Sequence, residues 1–342
     1  MPKSIFYFLL FYLALHSACS LTPEGKGDFD EIIVFSDSLD WFEYKKSLES
    51  IFSREYKTPV LEREYILTWR TSKYFEDFKE YRNVIFLGRL DSDDRVSEAV
   101  KNTLSGEILQ DIENDKYFYI PKHDAWANNQ MVLFLVAKDK KDMLNKLEKY
   151  GNSLLKDFEK SYYRRYQDHI FRRDGNKELK EYIENHFPFT MKVQSDFFLA
   201  DESLENGYIY LRRINPDRSM IIHWLPHSDT IEINYNWLVK ERNRIGELAL
   251  QGDLIVEDET LYKEGTFQGR KAFILEGTWK NPTYIIGGPF RNKTFIDEAS
   301  SLIIMIDYYV HAVGRRKKLF LDQLEVMART MDVKPAGSSS TN

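Results

Sequence analysis

The chain has 342 residues, a formal net charge of −6, 15% aromatic residues and one cysteine. An acidic balance, with its basic runs interleaved by carboxylates at helical spacing, argues against a nucleic-acid partner. One thiol rules out a disulfide framework, and a body of roughly 310 residues is long enough that two domains are expected.

Met1 to Ser4 carry one lysine and precede eleven apolar residues, Ile5 to Leu15 (IFYFLLFYLAL). A cationic start and a short apolar stretch are the build of a secretory signal peptide. Eleven residues fall short of the roughly 20 that a spanning helix needs. His16-Ser17-Ala18-Cys19 resembles a bacterial lipobox, with His16 standing where an aliphatic residue is usual. That resemblance implies cleavage between Ala18 and Cys19, and lipid, palmitate included, on the Cys19 sulfur and the new amino terminus. Two or more acyl chains meet the requirement for stable anchoring. Beyond Cys19 the body has no thiol, so thiolate zinc and cysteine nucleophiles are excluded. Loss of residues 1–18 removes Lys3 and takes the charge from −6 to −7.

Residues 19–29 form a polar tether with Pro23, Gly25 and Gly27. EIIVFS (31–36) reads as a buried strand, and SLDWFEYKKSLESIF as a helix burying Trp41, Tyr44, Leu48 and Ile51. EREYILTW, RNVIFLG, KYFYIPK and QMVLFLVA read as further strands. A helical turn lies around Tyr74 to Tyr81, and a helix from Asp93 places Val96, Val100, Leu104, Ile108 and Ile112 on one face. This first α+β domain spans 30–137. Residues 138–187 read as a helical connector, with Met143, Leu147, Tyr150 and Leu154 as its stripe and about 50 Å of continuous helix up to Arg173. In the second α+β domain, 188–333, TMKVQ, GYIYLRRI and SMIIHWLP are strands and NYNWLVKERNRIGELAL is a helix. Strands follow at 266–279, 289–297 and 301–312, then a closing helix with Phe320, Leu324, Met327 and Met331. Residues 334–342 have the composition of a disordered tail. The fold class is α+β: two sandwich domains with mainly antiparallel sheets, joined by a long helical connector.

The strong catalytic and nucleotide-binding signatures are absent, so no catalytic residue, metal or cofactor is assigned. His223 and His227 have the separation of helical metal ligands, but Pro226 and the β-rich flank take them off a helix. Glu276 and Asp307 lie in expected strands that could face each other across a sheet. The basic run Gly314-Arg315-Arg316-Lys317-Lys318 either opens the last helix or touches phospholipid.

DAWANNQMVLFLVA (124–137), SLLKDFEKSYYRRYQ and LEGTWKNPTYIIGGPFRNKTFIDE (275–298) resemble domain of unknown function 4837, a family of envelope lipoproteins, over nearly the whole mature chain. The matching positions are Trp126, Ala127, Gln130, Gly277, Trp279, Gly287, Gly288, Pro289, Phe290 and Asp297. His311-Ala312-Val313 departs from the family's Tyr-Ala-Pro. Trp126 and Trp279 are expected to be core anchors, and Gly287-Gly288-Pro289 a turn with φ > 0 and a fixed exit. The second half also resembles PsbP-like sandwiches, which are docking modules. The resemblance implies no activity but gives an address: the cell envelope, lipid-anchored, on the outer membrane facing the periplasm. The expected function is a binding or docking module for an envelope protein partner. The alternative is an envelope hydrolase or glycan-binding protein with Glu276, Asp297 or Asp307 in an interdomain cleft. Convergent carboxylates in a deep pocket would favour that alternative.

Overall fold

The computed structural model describes residues 22–57 and 60–337. The signal peptide, Ala18 and Cys19 lie outside the described residues. In chain order the elements are β1 Glu31–Phe35, α1 Ser38–Phe52, β2 Glu55–Lys57, β3 Leu61–Arg63, β4 Ile66–Arg70, α2 Phe75–Phe78, β5 Asn83–Arg89, α3 Arg95–Thr103, α4 Gly106–Glu113, β6 Tyr119–His123, β7 Met131–Ala137 and α5 Lys140–Ile170. There follow α6 Lys177–His186, β8 Phe189–Thr190, β9 Phe198–Ser203, β10 Tyr208–Arg213, β11 Asp217–Pro226, α7 Tyr235–Ala249, β12 Leu254–Ile255, β13 Leu261–Phe267, β14 Arg270–Asn281, β15 Ile286–Asp297, β16 Leu302–His311, α8 Lys318–Ala328 and β17 Asp332–Val333. No described helix is long and apolar enough to cross a membrane.

Contacts group the described residues into two units, one of residues up to 43 with 68–143 and one of 44–67 with everything from 144 onward. These divisions differ from the boundaries read along the sequence. The β2–β3 hairpin belongs with the second unit because Glu62 accepts the backbone N–H groups of Lys317 and Lys318 at 2.9–3.0 Å, capping the N-terminus of α8. Such a contact spans some 255 positions of sequence and leaves no local signal.

The first unit is a five-stranded sheet in the order β4-β1-β5-β7-β6. Its three central strands are parallel, with Val84 opposite both Ile33 and Val132, and β6 runs antiparallel to β7. The expectation of mainly antiparallel pairing is corrected here. IIVF, VIFLG and MVLFLVA are continuous apolar runs, the mark of strands covered on both faces, which parallel sheets require. One face packs Phe35, Phe86, Val132 and Phe134 against Val96, Val100 and Ile112. The helix expected from Asp93 is in fact two. Asp94 caps α3 through Val96 N and Ser97 N, while Ser105 caps α4 through Ile108 N, so the chain restarts at Ser105-Gly106.

The second unit carries an eight-stranded sheet in the order β12-β14-β15-β16-β11-β10-β9, with β13 also on β14. Its pairings are antiparallel, as expected. One face receives α7 through Leu238, Val239 and Ile245 against Leu275, Trp279, Phe290 and Tyr309. The other face receives α8. The segment read as one strand over 266–279 is a hairpin, because Gln268 and Gly269 both take positive φ, 51° and 80°. TMKVQ is strand only at Thr190; beyond it, Lys192 N donates to Thr330 Oγ1 instead of a ladder. Order extends into the expected tail, where Lys334 N and Ala336 N donate to Pro188 O and Ala299 O.

Gly287 and Gly288 lie inside β15 and have no positive φ; the turn's positive φ falls on Ile285. The reason for glycine is close approach. A Cβ on Gly288 would sit 1.9 Å from the Val310 carbonyl oxygen, and one on Gly287 2.5 Å from that of Trp279. Gly288→Ala is therefore expected to destabilise the second unit by about 1–3 kcal/mol or more. Gly106→Ala, where a Cβ meets nothing within 4 Å, should cost nothing and gain up to about 1 kcal/mol. Urea unfolding of the two variants checks the contrast.

Candidate functional site

A cleft of about 430 Å³ opens on the α8 side of the second sheet, lined wholly by residues of the second unit. Alternation along β15 brings Arg291 and Lys293 to one face, beside Glu276 of β14. Opposite them α8 presents Lys318, Asp322, Glu325 and Arg329, spaced by three or four residues and hence on one side of the helix. The β2–β3 hairpin and its flanks supply Arg54, Tyr56, Glu64 and Tyr65, and α5 supplies Glu159 and Tyr163.

The floor is a network of buried charges. Arg291 donates through Nε to Tyr56 Oη at 2.9 Å and through Nη1 to Asp322 at 3.2 Å. Asp322 also accepts from Lys318 Nζ and Tyr162 Oη, each at 2.6 Å. Glu325 accepts from Lys293 Nζ at 2.5 Å, from Arg329 Nε at 2.7 Å and from Tyr308 Oη. Burial alone would raise both carboxyls; Lys318 and Arg291 around Asp322, and Lys293 and Arg329 around Glu325, outweigh it and hold both below the ordinary range. Burial lowers Lys293 despite Glu325. Nearer the mouth, Glu276 pairs with Lys263 at 2.9 Å and stands 4.0 Å from Arg291. Glu159 is half-buried and makes no ion pair among the described residues; burial, then the neighbouring Glu64, raises its carboxyl. The cleft thus offers fixed charge of both signs and three tyrosine rings.

Of the residues singled out in sequence, Glu276 alone among the carboxylates reaches this cleft. Asp307 faces the other side of the sheet: it lies opposite Asn292, which pairs with Leu275, so Glu276 and Asp307 do not face each other. Asp307 meets Arg242 Nε at 3.4 Å and Asn292 Nδ2 at 3.1 Å within the α7 core. Asp297 pairs with Arg270 and holds the Ser300 turn. His223 is buried between Gly207 O and Glu241, on a strand 18 residues away from that partner. Trp279 and Phe290 are core residues, Trp279 crossing Tyr309 at 4.9 Å. Trp126 meets Phe75 edge-on at 5.4 Å and lines a small apolar pocket in the first unit. Gln130 is wholly buried; it binds Trp126 N, Lys79 O and Tyr81 O and so ties two loops together. The sequence reading missed Arg291, Lys293, Asp322 and Glu325. The signal was present as alternate cations in β15 and carboxylates three apart in α8, but it resembles a solvated face until the two are docked.

Residues 176–330 match the family model described as Domain of unknown function (DUF4837). This part of the chain is similar to that family. A second model, Domain of unknown function (DUF8532), takes residues 25–171. The DUF4837 resemblance is therefore narrower than expected: segment 275–298 falls within it, whereas Trp126, Gln130 and SLLKDFEKSYYRRYQ fall in the DUF8532 stretch. The cleft draws on both, with Arg291, Lys293 and α8 from the DUF4837 domain and Tyr56, Glu159 and Tyr163 from the other stretch. No curated protein matches the chain. Among solved structures, the Saccharomyces cerevisiae Ran-binding protein Mog1p is 12% identical, with 43% of this chain and 90% of that one covered and a TM-score of 0.30. LpqN, involved in cell envelope biogenesis of Mycobacterium tuberculosis, is 16% identical over 43% of this chain and 83% of its own, with a TM-score of 0.28.

Behind the α7 face, Asp253 accepts from Asn281 Nδ2 at 2.8 Å, yet burial pushes its carboxyl from 3.8 up to about 6. A carboxyl raised on folding weakens the folded state as it ionises, so stability is lost between roughly pH 4 and pH 6 and stays lost above. Asp253→Asn keeps the acceptor without the charge. It is expected to raise the melting temperature at pH 8 and to leave it unchanged near pH 4, as a pair of thermal scans would show.

Proposed function

We propose that the chain is a lipid-anchored cell-envelope protein whose second unit binds a small, charged, hydroxyl-rich envelope ligand in the α8 cleft. The observation that carries the binding reading is the floor network. Buried ion pairs contribute little net stability, and apolar residues of similar volume would serve packing as well or better. Here Arg291, Lys293, Asp322 and Glu325 are instead gathered beneath an open cleft, where perturbed ionisable groups mark functional sites. A ligand with amine, carboxylate and sugar groups matches paired charges of both signs and the faces of Tyr56, Tyr65 and Tyr163. A peptide-bearing glycan fragment of the envelope has that chemistry.

Calorimetric titration of the protein with a disaccharide-tetrapeptide should give saturable binding. Lys263→Ala, at an exposed rim position, is expected to weaken it about tenfold, the scale of one charge-assisted hydrogen bond, with the melting temperature unchanged. No heat from the fragment would refute the assignment. A second reading, glycan hydrolysis, is favoured by Glu159, a cleft-wall carboxyl that burial raises above its ordinary range and so suits to a general acid. Loss of fragment turnover in Glu159→Gln with binding retained would establish it.

The envelope address rests on the N-terminal pattern. Cys19→Ala is expected to let a 0.5 M salt wash move the protein from the membrane fraction to the soluble one, and to abolish labelling by a palmitate analogue, measured by fractionation and in-gel detection.

A further inference from the structure

Three connections of the second sheet converge at one end. The β14–β15 turn is brought there by Asn281 opposite Ile286, the chain leaving β16 by His311 Nδ1 on Gly287 O at 3.0 Å, and the β10–β11 turn by Asp217 opposite His311. Adjacent strands lie about 4.8 Å apart, so the three tips fall within roughly 15 Å. Each ends in an aliphatic side chain in water: Ile285 is 91% exposed, Val313 83% and Ile214 65%, with Tyr284 and Ile286 flanking the first.

Ile285 stands out on two counts. Its φ is +55°, a region that β-branched residues avoid and that asparagine or glycine occupies without strain. Its side chain also gains nothing from the fold. Neither turn geometry nor solvent asks for isoleucine at this position. Around the tips, the three connections and their strand ends carry Arg212, Arg213, Lys280, Arg315 and Arg316, against one carboxylate, Asp217. Asp217 is taken by Arg212 and the neighbouring Asp196 by Arg213, whereas Lys280 and Arg315 make no ion pair among the described residues.

We infer that this end of the second unit docks on an anionic phospholipid surface, with Ile285, Val313 and Ile214 entering the headgroup–acyl boundary and the surrounding cations meeting lipid phosphates. Separate aliphatic tips ringed by cations suit a fluid interface, where each side chain is solvated by lipid. A protein partner would call for one continuous apolar patch. The contact is distinct from the lipid on Cys19 and does not depend on it.

The test uses the full chain bearing Cys19→Ala, which leaves no cysteine, so a single introduced thiol reports its own position. Ile285→Cys and Val313→Cys, labelled with an environment-sensitive fluorophore, are expected to brighten at least twofold and shift to the blue with phosphatidylglycerol:phosphatidylcholine (1:1) vesicles. The response should be weaker with phosphatidylcholine alone and fall in 0.5 M salt. Glu298→Cys, at the opposite end of β15, should not respond. No change at 285 and 313, or an equal change at 298, overturns the inference. So does a response that is the same for neutral and anionic vesicles. Ile285→Asp with Val313→Asp, at exposed positions where folding is indifferent, should reduce vesicle co-sedimentation about fivefold at an unchanged melting temperature.

Discussion

The second unit depends on how a helix full of carboxylates is held against a strand full of cations. Along β15 the same-face residues Arg291 and Lys293 stand about 6.5–7 Å apart, set by the two-residue repeat of a strand. Along α8 the partners Asp322 and Glu325 rise about 4.5 Å, set by three residues of helix. The two repeats are close enough for each cation to find one carboxylate, and Lys318, Arg329 and three tyrosines complete the coordination. Partial completion would be far worse than either a full network or an apolar seam, because a lone buried charge is the costliest group in a core. This is why α8 needs the distant Glu62 cap: the cap fixes the start of the helix and thus which turn faces β15.

That arrangement also explains why the cleft is polar. A helix packed through aliphatic side chains closes down to interior density. One packed through hydrogen-bonded charges keeps its long side chains extended, and the space above them stays open to water and to ligands. The opposite face of the same sheet shows the contrast. There α7 packs on Trp279, Phe290 and Tyr309, and its few polar groups, Arg242, Asn292 and Asp307, bind one another inside the core. Two helices on one sheet therefore serve different ends: α7 supplies apolar burial, α8 the chemistry.

Strain in the molecule is local and placed at its margin. The glycines of β15 relieve crowding where β14, β15 and β16 meet, so the ladder runs unbroken to the end of the sheet. Pro289, which has no N–H to give, sits one residue before the pairing with β16 begins. The positive φ that the turn requires is then left to Ile285, outside the ladder, where a strained aliphatic residue is presented to solvent without weakening the core.

Local pattern was enough for much of this. The apolar runs of β1, β5 and β7, the stripe of α5 and the apolar residues of β16 record what each element buries, and that is a property of nearest neighbours in sequence. The α+β class followed from them, while the DUF4837 resemblance of 275–298 was carried by that segment's own residues. The direction of pairing in the first sheet did not, because an apolar run states that both faces are covered without stating which way its neighbour runs. Nor did the site. Arg291, Lys293, Asp322 and Glu325 carry no local mark of burial, since a charge in sequence implies water unless its partner is known. Only the tertiary structure, by closing α8 over β15 and bringing Tyr56 and Glu62 from more than two hundred residues away, decides that these charges are buried and that they meet one another.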